Sequence, residues 1–310
     1  MKNIKYTKWV YFIFLIVFMG NFVFRETVQS FDFLARRSRS KQLNTLGMAT
    51  ALKEDGEFMD PVEILDFAII NGLDGVLQVY IDEQAVNRTG ALASKSEEAG
   101  VFLICHSFLG TRRNMTEDDL RAELMAAQEI LCNQDRKLVV FHYEPSWSRE
   151  ELLSFLKVFE EAGITPCIEN PLISESAAPQ FLEDIVFLIN EDIDFNLVVD
   201  FGKIFSSEIG NDNLTYEDRV GMLNSLMSII DKNNIPFIAH IMDSTYPDFS
   251  IREYYCPAGE GRMPYKDVIL PLIVGVQRLM QCIVFEYEDA NKVALSVENW
   301  HKILSVSDLH

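Results

Sequence analysis

A chain of 310 residues, 48% of them hydrophobic, can bury a sizeable core as one large domain or two ordinary ones. Its 47 Asp and Glu against 27 Lys and Arg leave a formal charge of −20, which repels phosphate backbones and argues against general nucleic-acid binding. The five cysteines, at 105, 132, 167, 256 and 282, form no CxxC pair, which argues against a disulfide framework and a zinc ribbon alike.

In chain order, Lys2, Lys5 and Lys8 precede the uncharged "WVYFIFLIVFMGNFVF" at 9–24. As a helix this run would span about 24 Å, slightly short of a bilayer core. A basic stretch followed by an apolar one resembles an export signal, yet no small-x-small cleavage site follows promptly, and "ARRSRSK" at 35–41 puts positive charge on the far side too. Residues 1–40 are therefore set apart as a hydrophobic and basic segment. It reads as a membrane anchor or interfacial segment, as a cleaved export signal, or as the product of a start codon placed too early, which would leave the protein cytoplasmic.

From residue 45 onward, eight short apolar runs alternate with longer amphipathic stretches. The runs are "LGMAT" at 46, "GVLQVYI" at 75, "VFLICHS" at 101, "KLVVFHY" at 137, "ITPCIEN" at 164, "FNLVVDF" at 195, "IPFIAHIMD" at 235 and "CIVFEYE" at 282. Each has the length and near-continuous apolar character of a strand buried on both faces, as in a parallel sheet. The first intervening helix has Asp60 as N-cap, Pro61 at its first position and Gly72 as its stop. A second opens with Thr116 and Asp119, a variant of the capping box, and a third runs from Ser148 to Gly163. Further helices fit 174–190, 215–232, 264–281 and roughly 289–305. The alternation predicts an α/β fold, a (β/α)8 TIM barrel occupying 45–310 as one catalytic domain. An open doubly wound sheet is the rival, but no Gly-rich phosphate loop follows the first run.

In such a barrel the chemistry sits at the C-terminal ends of the strands. The residues closing the runs there are His106, His142, Glu169, Asp200, His240 and Glu286. One polar residue at a strand end is most simply a helix cap or a satisfied core group. Three carboxylates and an imidazole converging on one mouth instead call for a shared cation, because buried carboxylates are costly unless paired or bound to metal. Three oxygens and one nitrogen suit Mn²⁺, Mg²⁺ or Co²⁺ better than Zn²⁺.

The ordered set "CIEN", "VVDFGKIF", "IAHIMDST", "PAGEGRMPYKDVI" and "VFEYED" resembles the xylose isomerase-like TIM-barrel superfamily. That superfamily includes ketose 3-epimerases, hydroxypyruvate isomerases, inosose dehydratases and the endonuclease IV nucleases. The resemblance implies one divalent metal held by Glu169, Asp200, His240 and Glu286, with the two glutamates doubling as the acid/base pair. The implied activity is isomerisation or epimerisation of a sugar, keto-sugar or keto acid through an ene-diolate. His106, His142 and Lys203 are expected to contact substrate. Lys203 stands where many relatives carry histidine; it either holds a substrate carboxylate or phosphate or is simply solvated. Glu260 in "PAGEG" either orients His240 from behind or is a loop charge, and Asp243 suits the rim better than the metal. Arg112, Arg113 and Trp147, in the loops "SFLGTRRNM" and "HYEPSW", either meet the sugar or face solvent. Two alternatives stay open: a barrel that binds a ligand without turning it over, and an endonuclease IV-like phosphodiesterase. Against the second, "YPDFSIREYYCPAGEG" lacks the histidines of a three-metal cluster.

Overall fold

The computed structural model describes residues 45–54, 56–112, 115–206, 213–247 and 252–306. The segment 1–40, with its expected membrane association and export role, lies outside the described residues, as does Arg113. Among the described residues no helix is long and apolar enough to cross a membrane.

All eight apolar runs form strands: β1 (Leu46–Ala49), β2 (Val76–Tyr80), β3 (Phe102–His106), β4 (Leu138–His142), β5 (Thr165–Glu169), β6 (Asn196–Asp200), β7 (Phe237–Ile241) and β8 (Met280–Phe285). They close into a barrel in the order β1-β8-β7-β6-β5-β4-β3-β2, every neighbouring pair parallel. One set of strand side chains, including Val76, Ile104, Val140, Cys167, Val198, Ile238 and Val284, clusters separately from the rest of the buried core. The larger cluster joins the alternate strand positions to the helices, so the strands are buried on both faces.

The helices are α1 (Pro61–Ile70), α2 (Glu83–Asn87), α3 (Thr89–Ala99), α4 (Glu117–Ile130), α5 (Arg149–Glu161), α6 (Ala177–Asn190), α7 (Phe201–Phe205), α8 (Tyr216–Asn233), α9 (Leu270–Val276) and α10 (Ala290–Val306). The expected caps are in place. The Asp60 side chain accepts from Val62 N, Thr116 and Ser148 complete capping boxes with Asp119 and Glu151, and Gly72 and Gly163 follow their helices at φ 71° and 64°.

Three stretches differ from what the sequence predicts, one of them the short helix α7 directly after Asp200. Helices α2 and α3 were not expected. "TGALASKSEEA" is short of large apolar residues and buries only Leu92, Ala93 and Ser96, so its periodicity is faint. A single helix over 264–281 does not form. The chain passes through a widened π turn at Tyr265–Ile269, then α9, then a 3-10 turn at Gln277–Leu279, and is already β8 at Met280. Pro271, at the start of α9, has no N–H and crowds the turn before it, which accounts for the widening.

Candidate metal centre

Strand register brings the site together. Across the parallel ladder His142 pairs with Glu169 and Asp200 with His240, while Val284 pairs with His240 so that Glu286, just beyond β8, emerges beside it. Glu169, Asp200 and His240 are fully buried, and the Glu286 side chain is only 12% exposed. One ligand-type atom from each of the four lies within 4.8 Å of the other three.

The local sequence fixes each side chain. Asn170, directly after Glu169, accepts from the backbone N of Asp200 at 2.8 Å and donates to its carbonyl at 3.3 Å, tying β5 to β6 where both end. Asp200 then caps α7, with Oδ1 accepting from Lys203 N at 3.0 Å. Its other oxygen, Oδ2, is buried without a hydrogen-bond partner.

His240 is set by a residue that the sequence reading passed over. Gln78, fully buried in β2, donates Nε2–H to Glu286 Oε1 at 2.7 Å and turns its own Oε1 to His240 Nε2 at 2.9 Å. A carboxylate only accepts, so the amide must present its NH₂ to Glu286 and its oxygen to His240. The proton on that side of the imidazole is therefore on Nε2, and the ligand face is Nδ1. Nδ1 lies 3.4 Å from Glu286 Oε2 and 3.8 Å from Glu169 Oε1, and it too is buried without a hydrogen-bond partner. Gln78 did leave a signal, as the one amide inside the apolar run "GVLQVYI". Tyr80, on the same strand, reaches Glu286 Oε1 at 3.4 Å, and burial with the charge of Glu286 raises its phenol so that it stays a donor.

Glu169 is the hub. Its Oε2 faces Nε2 of both His106, at 3.4 Å, and His142, at 3.3 Å, while its Oε1 is ion-paired to Lys203 Nζ. His106 Nδ1 meets the carbonyl of Ser107 at 2.8 Å, so that nitrogen carries the proton. His106, His142 and Glu169 thus form a second group of ligand-type atoms sharing one carboxylate with the first.

The electrostatics show a cluster short of positive charge. Burial pushes the Glu169 carboxyl up, but His142, Lys203 and His240 outweigh it and hold it well below the ordinary range. Burial drives Asp200 up to about 7 against the pull of Lys203. For His240, burial favours the neutral ring, yet Glu286 and Glu169 overcome that and raise it. Lys203 likewise remains an ammonium, because Glu169 and Asp200 outweigh its burial. His142 goes the other way, lowered chiefly by burial. The carboxylates hold a proton on His240 unless a cation replaces it, and Asp200 Oδ2 is buried without a hydrogen bond. A hard divalent ion fits this set of three carboxylates and one imidazole.

One expectation needs correction. Glu260 does not orient His240: it is exposed, accepts at 2.9 Å from Asn299 Nδ2, and leaves that task to Gln78. The reason lies in the space beneath the turn, which Asp243 occupies. Its buried carboxylate accepts from the backbone N–H groups of Ser244 (2.8 Å), Gly259 (2.9 Å), Gly261 (3.0 Å) and Met263 (3.1 Å). A side chain on Gly261 would stand 2.2 Å from that carboxylate, so only glycine fits. Lys203 is not simply solvated, being committed to Glu169. Beyond the mouth, a cavity of about 560 Å³ is lined in part by Arg112, Glu144 and Trp147. Arg112 lies 4.1 Å from the centre of the Phe108 ring, and Trp147 packs among Phe141, Tyr143 and Phe155.

No family model and no curated protein in the comparisons matches this chain. Solved structures do. The crystal structure of AsfvAP:AG is 18% identical over 84% of this chain and 98% of its own, with a TM-score of 0.59. A D-tagatose 3-epimerase-like protein is 16% identical over 85% and 98%, TM-score 0.58. The D-allulose 3-epimerase from Methylomonas sp., in complex with D-allulose, is 11% identical over 83% and 96%, TM-score 0.56. At such identities the likeness establishes the fold alone, a (β/α)8 barrel as the alternation of apolar runs and helices implied.

Proposed function

We propose that this barrel is a divalent-metal-dependent isomerase or epimerase of a sugar, keto-sugar or keto acid, its metal held by Glu169, Asp200, His240 and Glu286. The observation that carries the reading is one four-residue group of ligand-type atoms in which Asp200 Oδ2 is buried without a hydrogen bond and His240 Nδ1 faces Glu286 Oε2 at 3.4 Å and Glu169 Oε1 at 3.8 Å. The fold shared with proteins named as 3-epimerases, one of them holding D-allulose, supports a small carbohydrate as the substrate. When bound, the metal supplies the positive charge that stabilises the two adjacent oxygens of an ene-diolate; the ligand set favours Mn²⁺, Mg²⁺ or Co²⁺ over Zn²⁺.

The protein's own residues do the rest. Glu169 and Glu286 form the acid/base pair, one removing a proton from carbon and the other returning it. Gln78 and Tyr80 hold Glu286 by Oε1, which leaves Oε2 on the side of the cluster. His106 and His142 hold Glu169 from the opposite side. Lys203 can donate to substrate oxygens, and the more exposed His142, whose Nε2–H faces Glu169, can accept from a substrate hydroxyl through Nδ1.

The test is to incubate the protein with MnCl₂ in D₂O and a panel of ketoses, keto acids and inososes. NMR should show deuterium entering a C–H position next to a carbonyl. If the protein takes up metal yet exchanges no substrate proton, the isomerase and epimerase reading fails, and a binding barrel or the second reading below takes its place. A second reading, phosphodiester hydrolysis, is favoured by one observation, the His106–His142–Glu169 group that shares Glu169 with the first site. Two metals per chain together with cleavage of a phosphodiester would decide for it.

A further inference from the structure

Lys203 is anchored three residues past Asp200, its backbone N donating to Asp200 Oδ1 at 3.0 Å. Its ammonium pairs with Glu169 Oε1 and lies 3.9 Å from Asp200 Oδ2. Those atoms are not spare ones. Glu169 Oε1 is the oxygen nearer to His240 Nδ1, and Asp200 Oδ2 is buried without a hydrogen bond. A positive charge tethered to the chain therefore stands at the same oxygens that a divalent ion would take. An ammonium and a dication cannot both occupy them, since like charges a few ångströms apart in a buried site repel strongly. Lysine is also able to leave: its four-carbon stem is flexible and its side chain is 23% exposed, so a route to the mouth is open.

Resting on the metal-site reading, we propose that Lys203 is a built-in competitor of the divalent ion. Its ammonium neutralises Glu169 and Asp200 when no dication is bound, and it must turn away before the ion takes those oxygens. The affinity of the site for the ion is accordingly set below that of the four ligands alone.

The full-length chain, stripped with EDTA, is titrated with MnCl₂ by calorimetry alongside Lys203→Met and Lys203→Arg. Lys203→Met, which keeps length but not charge, should bind Mn²⁺ tighter by about tenfold or more, and Lys203→Arg should stay within about threefold of wild type. Equal or weaker binding by Lys203→Met, with the wild type still binding, overturns the competitor role and leaves the metal site standing. No uptake by any of the three overturns both. Should Lys203→Met fail to fold, wild-type protein titrated with diamagnetic Mg²⁺ and followed by lysine Cε NMR gives the answer. The Lys203 signal, assigned by its loss in Lys203→Arg, should move as the site fills, and a signal that stays still at saturation overturns the proposal.

Discussion

Asp200 and Asp243 stand at the ends of neighbouring strands, and both are fully buried. Their surroundings are opposite. Asp243 is surrounded by four backbone N–H donors from its own turn and the Gly259–Met263 loop, so its charge is spent on holding that loop. Asp200 receives one N–H, from Lys203, and its Oδ2 accepts no hydrogen bond, the Lys203 ammonium standing 3.9 Å away. Burial alone therefore does not mark a ligand. What separates the two aspartates is the number of donors that the fold supplies to each.

The contrast can be broken or sharpened by substitution. The largest effect belongs to Glu286, which shares the cluster with Asp200: Glu286→Gln should slow substrate C–H exchange in D₂O by about 10³ or more. Near-normal exchange would dissolve the distinction between a chemical and a structural carboxylate. Next comes Asp243→Ala, which strands four amides and should cost about 3 kcal/mol in denaturant unfolding while leaving Mn²⁺ affinity within about threefold. Asp200→Asn should do the reverse. Calorimetry should show Mn²⁺ affinity lower by about 100-fold, and the melting temperature of the metal-free protein should not fall, because the variant removes a charge that burial penalises. Gln78→Leu frees the His240 ring and should weaken Mn²⁺ binding by about tenfold or more. Glu260→Gln, on the exposed side of the Asp243 loop, should change neither affinity nor stability measurably.

Much of this site was readable from the chain, and the parts that were not share one physical origin. Glu169, Asp200, His240 and Glu286 close apolar runs, and a buried parallel strand announces its end by the first charged residue. Gln78 was hidden because its partners are 162 and 208 positions away, across the closure of the barrel. Nothing in "GVLQVYI" says that its amide joins β7 to the end of β8. Glu260 misled for the converse reason: its neighbours in "PAGEG" suggest proximity to the site, but the loop is folded around Asp243 and turns Glu260 outward to Asn299.

By itself the sequence determined the eight strands, their order of use and the set of ligand-type residues at one rim, because burial on both faces demands continuous apolar runs and helix caps demand particular side chains. Only the tertiary structure decided which of those groups meet: that His240 offers Nδ1, that Asp200 Oδ2 lacks a donor, that Asp243 is a staple for a loop, and that Lys203 lies on Glu169 rather than in solvent. Those outcomes depend on distances of a few ångströms across strand register and barrel closure, which local patterns of hydrophobicity do not encode.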